Sequence, residues 1–83
     1  FERNMLITTP DMLGNSLRDI RKQKKLSQMQ IANQVALRQA TISTFEKKTD
    51  KATIETLFKL LSGLGYELHI QPRPEKTEGN DEW

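Results

Sequence analysis

Residues 28–47, QMQIANQVALRQATISTFEK, carry two short helical patterns separated by a gap that leaves room only for a tight turn. Ile31 and Val35 stand four apart in the first pattern, and Ile42 and Phe45 three apart in the second, so each stretch has one apolar stripe and one polar face. Ala32 is small enough to let the two helices approach closely. Ala36, Leu37 and Arg38 lie between them, a connection that suits a helix-turn-helix and is too short for a flexible linker. The second helix then turns Gln39, Ala40, Ser43, Thr44 and Lys47 to solvent, side-chain types that read base edges and phosphates in a DNA major groove.

A chain of 83 residues makes one small domain. At this size about 60–65% of the unfolded surface is buried, so the core is thin and further support is expected. There is no cysteine, which removes disulfides, zinc–thiolate sites and thiol chemistry together and fits a reducing compartment. The longest apolar run, residues 57–64, is interrupted by Lys59, Ser62 and Gly63 and is far shorter than the roughly 20 residues a bilayer demands. The opening FERNMLITTP lacks the ordered regions of a secretory signal. A soluble, cytoplasmic protein is therefore expected, nucleoid-associated when bound to DNA. No nucleophile stands with a base, no metal-ligating cluster occurs, and no glycine loop cradles a phosphate, so the residues argue against an enzyme and imply no cofactor. The lone His69 lacks a second ligand for a metal. Asp11, Asp19 and Glu46 do not form an acid–base pair by spacing, and Glu46 is expected to bond locally or to a basic neighbour.

The net charge of +2 hides an uneven distribution. Residues 1–51 hold ten Lys or Arg against five Asp or Glu, a net +5, whereas residues 72–83 hold two against four, a net −2. Lys22, Lys24 and Lys25 precede the helix-turn-helix, and Lys47, Lys48 and Lys51 follow it. Taken alone, the first group also reads as a solvated helix end, where cations favour the helix dipole. Two basic clusters bracketing one helix match a phosphate footprint.

The remaining elements follow from caps and periodicity. Thr9 caps a first helix over residues 10–24, with Pro10 in its first turn and Leu13, Leu17 and Ile20 as its buried stripe. Ser27, with Gln30 three residues on, forms a capping box for a second helix over residues 28–35. A third helix covers residues 39–47. Thr53 caps a fourth, whose apolar face holds Ile54, Leu57, Phe58, Leu61 and Leu64 and which Gly63 and Gly65 end. Tyr66, Leu68 and Ile70 then alternate with Glu67, His69 and Gln71, the pattern of a strand with one buried face, stopped by Pro72. Residues 5–8 are the only candidate partner within the chain; otherwise the strand must pair with its copy in a second subunit, making Tyr66, Leu68 and Ile70 a homodimer contact. The expected organisation is an arm over residues 1–9, an all-α four-helix domain with one C-terminal strand over residues 10–71, and a disordered tail over residues 72–83. Trp83 has no core of its own to join and must be exposed or docked elsewhere.

These patterns resemble the lambda-repressor and Cro class of helix-turn-helix regulators. LSQMQIA and ATISTFEK carry the wider likeness; RQATISTFEK, the single strand and a short tail ending in Glu82 and Trp83 carry a narrower one, to the HipB-like antitoxins that accompany HipA-type kinase toxins. The likeness spans about residues 10–72. One departure is Ala36, where this class usually has glycine in the turn; in a left-handed conformation alanine costs roughly 1–2 kcal/mol. The resemblance implies that Gln28 anchors a phosphate and supports Gln39, the first reading residue, which can bond adenine twice. It also implies that Arg38 reaches bases or phosphates, that Ala40 meets a thymine methyl and Ser43 a base or phosphate, and that Thr41 serves the helix or the backbone. Glu82 and Trp83 are then the segment that engages the kinase. The implied protein binds an inverted-repeat operator as a homodimer, represses its own operon, and neutralises its toxin by direct contact. The same residues also suit a stand-alone or phage-type regulator without a toxin, in which Trp83 is idle.

Overall fold

The computed structural model describes residues 5–73, so the expectations for residues 1–4 and 74–83, with Glu82 and Trp83 among them, lie outside the described part. Four helices and one 3₁₀ turn make up the regular structure: α1 (Pro10–Gln23), α2 (Gln28–Gln34), α3 (Gln39–Lys47), the turn Thr49–Lys51, and α4 (Ile54–Leu64). Three of the helices begin as the sequence indicates. Thr9 accepts from the Met12 amide at 3.1 Å, Ser27 and Gln30 close a reciprocal capping box, and Thr53 accepts from the Thr56 amide at 3.1 Å.

Three helices also end by one device. After α1 the Leu26 amide reaches back to the Arg21 carbonyl at 3.1 Å, after α2 the Leu37 amide reaches Ala32 at 2.9 Å, and after α4 the Tyr66 amide reaches Leu61 at 2.9 Å. Each such reversal requires a left-handed residue one place earlier. Those residues are Lys25, Ala36 and Gly65, with φ of 58°, 59° and 81°. The reversal folds Leu26 and Leu37 back onto the core. Only at Gly65 is the conformation free of a Cβ penalty; Ala36 does take the left-handed conformation in which alanine carries that cost.

The core is formed by Leu17 and Ile20 of α1, Ile31 and Ala32 of α2, Ile42 and Phe45 of α3, and Leu60, Leu61 and Leu64 of α4. Leu13, Val35 and Leu57 pack at its edge. Two expectations for α4 need correction. Gly63 does not stop the helix: a Cβ there would overlap the Val35 side chain, so this glycine lets α4 press against α2. Ile54 and Phe58, assigned to the apolar face, are 71% and 51% exposed, because the periodicity of an apolar helix does not say which part of a broad face meets the core. Leu60 takes a core place instead. Helices α1 and α2 each stop one residue earlier than expected, at Gln23 and Gln34, where the left-handed reversal begins.

None of the described residues forms a β-strand. Residues 66–73 continue beyond α4 without one, and Tyr66, Leu68 and Ile70 are exposed, Ile70 by 91%. Residues 5–8 do not pair with them as strands either. No helix among the described residues is long and apolar enough to cross a membrane.

Ala36→Gly should stabilise the domain by about 0.5–1 kcal/mol, since relief of the left-handed penalty exceeds the added freedom of the unfolded chain. Thermal melting followed by circular dichroism should show Tm rising by about 2–8 °C. An unchanged or lower Tm would mean that the Ala36 methyl contributes more than its backbone costs.

Candidate nucleic-acid interface

Helix α3 lies against α2 and α1 through Ile42 and Phe45, which are buried, and this fixes which face it shows to solvent. Gln39, Ala40, Thr44 and Lys47 are exposed, Ser43 and Thr41 are half-buried, and Arg38 is exposed at the N-cap. Arg38, Ala40, Thr41 and Thr44 form one wall of an open cleft of about 300 Å³, faced by Lys51 and Thr53 from the connection to α4. Lys48 caps the C-terminal end of α3, its amide donating to the Thr44 carbonyl at 2.7 Å, and its side chain is exposed.

The N-terminus of α3 breaks a rule that the other helices obey. Thr9, Ser27 and Thr53 cap α1, α2 and α4 with a side-chain oxygen, whereas Arg38 supplies no such bond. Arginine cannot accept one. The first amides of α3 therefore have no side-chain acceptor, and a cation stands beside them; together they favour an anion at this end of the helix.

Behind this face lies a polar chain that starts in the interior. Arg21 of α1 and Glu46 of α3 are 7% and 9% exposed and meet as a two-pronged pair, with Nε donating to Oε2 at 2.6 Å and Nη2 donating to Oε1 at 2.9 Å. The remaining prong of Arg21, Nη1, donates to the Leu26 carbonyl at 2.8 Å. Glu46 Oε1 also accepts from Gln28 Nε2 at 3.0 Å, and Gln28 Oε1 accepts from Gln39 Nε2 at 3.0 Å. Gln28 and Gln39, linked in sequence analysis only through a resemblance, are thus in direct contact. No buried side-chain nitrogen or oxygen among the described residues lacks a partner.

Sequence reasoning left Glu46 to bond locally or to a basic neighbour; its partner is basic but not local, because Arg21 is 25 positions away on another helix. The available signal was a carboxylate directly after Phe45 on a helix whose other inward positions are apolar. The 3₁₀ turn Thr49–Lys51 was also missed. It opens on a buried Thr49, whose hydroxyl donates to the Phe45 carbonyl at 2.6 Å and which sits where α1 has Gly14, so that no Cβ competes for the space. His69 is exposed, 2.7 Å from the Glu67 carboxylate.

Comparison with known proteins converges on this architecture. The profile of the helix-turn-helix family matches residues 17–70. Antitoxin HipB of Escherichia coli strain K12 is 35% identical over 82 residues, which cover 93% of this chain and 93% of that protein. Among solved structures, a HipA–HipB–O2–O3 complex contains a chain that superposes with a TM-score of 0.80 at 32% identity, covering 83% of this chain and 97% of that one. A complex of HipB with an O4 20-mer gives a TM-score of 0.80 at 32% identity, with the same coverage.

Proposed function

The chain belongs to the helix-turn-helix family and, within it, to the HipB antitoxins, and from that premise we propose that it is an operator-binding autorepressor that also neutralises a HipA-type kinase toxin. The observation that carries the DNA-binding half is the Gln28–Gln39 contact at the exposed start of α3, where a base-reading amide is held in place before DNA arrives. Gln39 reads a base edge, Gln28 anchors a phosphate beside it, and Arg38 approaches bases or phosphates at the uncapped helix end. Ala40 meets a thymine methyl, and Ser43 and Thr44 face the groove. Thr41, half-buried, supports the helix and the adjacent backbone contacts. Lys47 and Lys48 extend the phosphate footprint beyond the C-terminal end of α3.

Two copies act together. Tyr66, Leu68 and Ile70 are apolar residues at alternate positions, exposed in the single chain, and pairing with the same segment of a second copy supplies both the missing ladder and a cover for their side chains. Residues 10–71 form the folded unit, with residues 1–9 as an arm. Such a dimer sets two α3 helices about one DNA turn apart, roughly 34–36 Å, and so selects an inverted repeat. The protein works in the cytoplasm, on the nucleoid when its operator is occupied. For the antitoxin half, the support is the HipA–HipB complex among the structural relatives. Glu82 and Trp83 supply an acidic and an aromatic side chain for contact with the kinase.

Gln39→Ala should weaken operator binding by about 1–3 kcal/mol and leave binding to unrelated duplex nearly unchanged. Equal losses on both DNAs, measured by fluorescence anisotropy, would show that Gln39 is not a base reader. Leu68→Lys combined with Ile70→Lys should convert a sedimenting dimer into a folded monomer that no longer distinguishes an inverted repeat from a half-site; a variant that remains dimeric would place the subunit contact elsewhere. Deleting Glu82 and Trp83 should spare DNA binding and weaken capture of the purified kinase, and full-affinity capture by the shortened chain would remove the tail from the toxin contact.

A further inference from the structure

We propose that Glu46 is a positioning residue that sets the polarity of the Gln28–Gln39 amide pair and thereby makes Gln39 prefer adenine over guanine. The inference rests on the reading of Gln39 as a base-contacting residue and adds the origin of its selectivity. A glutamine amide is nearly the same shape in either orientation, so shape alone does not decide which end points at DNA. The decision is made in the interior. Glu46 is held by two bonds from Arg21 and, as a carboxylate, accepts only. Gln28 must therefore turn its NH₂ group inward to Glu46 Oε1, which leaves its carbonyl oxygen facing Gln39. That oxygen also accepts only, so Gln39 must commit one of its two N–H groups to it.

What remains on Gln39 is one N–H and a carbonyl oxygen with both lone pairs unused. This donor and acceptor are complementary to adenine, which offers N7 as acceptor and N6–H₂ as donor. Guanine offers two acceptors, N7 and O6, and the second opposes the Gln39 oxygen. Reversed polarity inverts the outcome: with its oxygen turned to Gln28, Gln39 presents two N–H groups, the pattern guanine accepts. A carboxylate at position 46 forbids that reversal, whereas an amide there permits it when its nitrogen takes the place of Oε1, donating to Gln28 and giving up the bond from Arg21 Nη2 while its oxygen keeps the bond from Arg21 Nε. Direction thus passes from a buried ion pair through two amides to the base edge.

The test uses the full-length dimer and a duplex from its own promoter, with each base pair of the half-site exchanged in turn. The position read by Gln39 is the one whose exchange stops mattering in Gln39→Ala. At that position the wild-type protein should favour adenine over guanine by about 5- to 150-fold. In Glu46→Gln the adenine-to-guanine ratio should fall at least fivefold. Replacing both charges, Arg21→Met with Glu46→Leu, removes the acceptor without stranding a buried ion, and this folded protein should lose the ratio to the same extent. Melting curves establish that each variant tested is folded. A folded Glu46 variant that keeps the wild-type ratio, while Gln39→Ala abolishes it, overturns the relay and leaves Gln39 as a reader. If Gln39→Ala changes no base preference, the base-reading role itself falls, and the relay with it.

Discussion

The pairing of Arg21 with Glu46 is the interaction on which the arrangement of the helices depends. It is the ion pair most withdrawn from water among the described residues, and it joins α1 to the inner side of α3 while its other bonds reach the carbonyl of Leu26 and the amide of Gln28. Apolar packing is nondirectional and by itself allows a short helix to rotate against its neighbours. A guanidinium fork meets a carboxylate in one plane, so the pair selects a rotation of α3 about its own axis. Burying two charges costs several kcal/mol per ion before their attraction is counted, and losing one partner typically costs about 3–5 kcal/mol. Such a pair is a poor source of net stability and a good source of orientation, which is what a base-reading helix needs.

Around that pair the helix ends divide into two kinds. Most helix ends follow local rules: threonine and serine cap α1, α2 and α4, and a glycine in the left-handed region ends α4, whereas Lys25 takes that conformation after α1. At the turn before α3 they do not. Ala36 occupies a conformation suited to glycine, and Arg38 stands where an acceptor belongs. The reversal at Ala36 places Leu37 against the core and brings Gln39 under Gln28, while the missing cap leaves the start of α3 to an outside anion. A second left-handed non-glycine residue, Lys25, ends α1, so only at the start of α3 do a strained reversal and a missing side-chain cap fall together, next to the residues proposed to meet DNA.

A single copy leaves apolar surface uncovered. Ile54, Phe58, Leu68 and Ile70 are exposed in a domain whose core rests on nine apolar side chains, and the pairing of two copies over residues 66–70 proposed above would cover part of that surface while supplying the symmetry that an inverted repeat requires. In the proposed dimer, folding and operator choice are linked, because the contact that covers the apolar surface would also set the spacing between the two α3 helices.

Much of this was legible in the chain because it is local. Thr9, Ser27 with Gln30, and Thr53 mark helix starts through bonds spanning three residues, and the spacings of Leu17 with Ile20 and of Ile42 with Phe45 assign inward faces without knowledge of the partner. The four residues between α2 and α3 mark a helix-turn-helix, since so short a connection restricts how two packed helices can be joined. Other features depend on contacts that periodicity does not encode. Whether Ile54 and Phe58 or Leu60 meets the core depends on where α4 crosses α2, which in turn depends on Gly63 admitting Val35. The partner of Glu46 was decided only when α1 and α3 came together, because any of several cations satisfies a carboxylate in sequence but one lies within reach of it in the interior. By itself the sequence determined the helices, their caps and the outward residues of α3, all set by neighbours within about one turn. The tertiary structure alone decided which amide faces which, because that depends on a buried acceptor contributed by a different part of the chain.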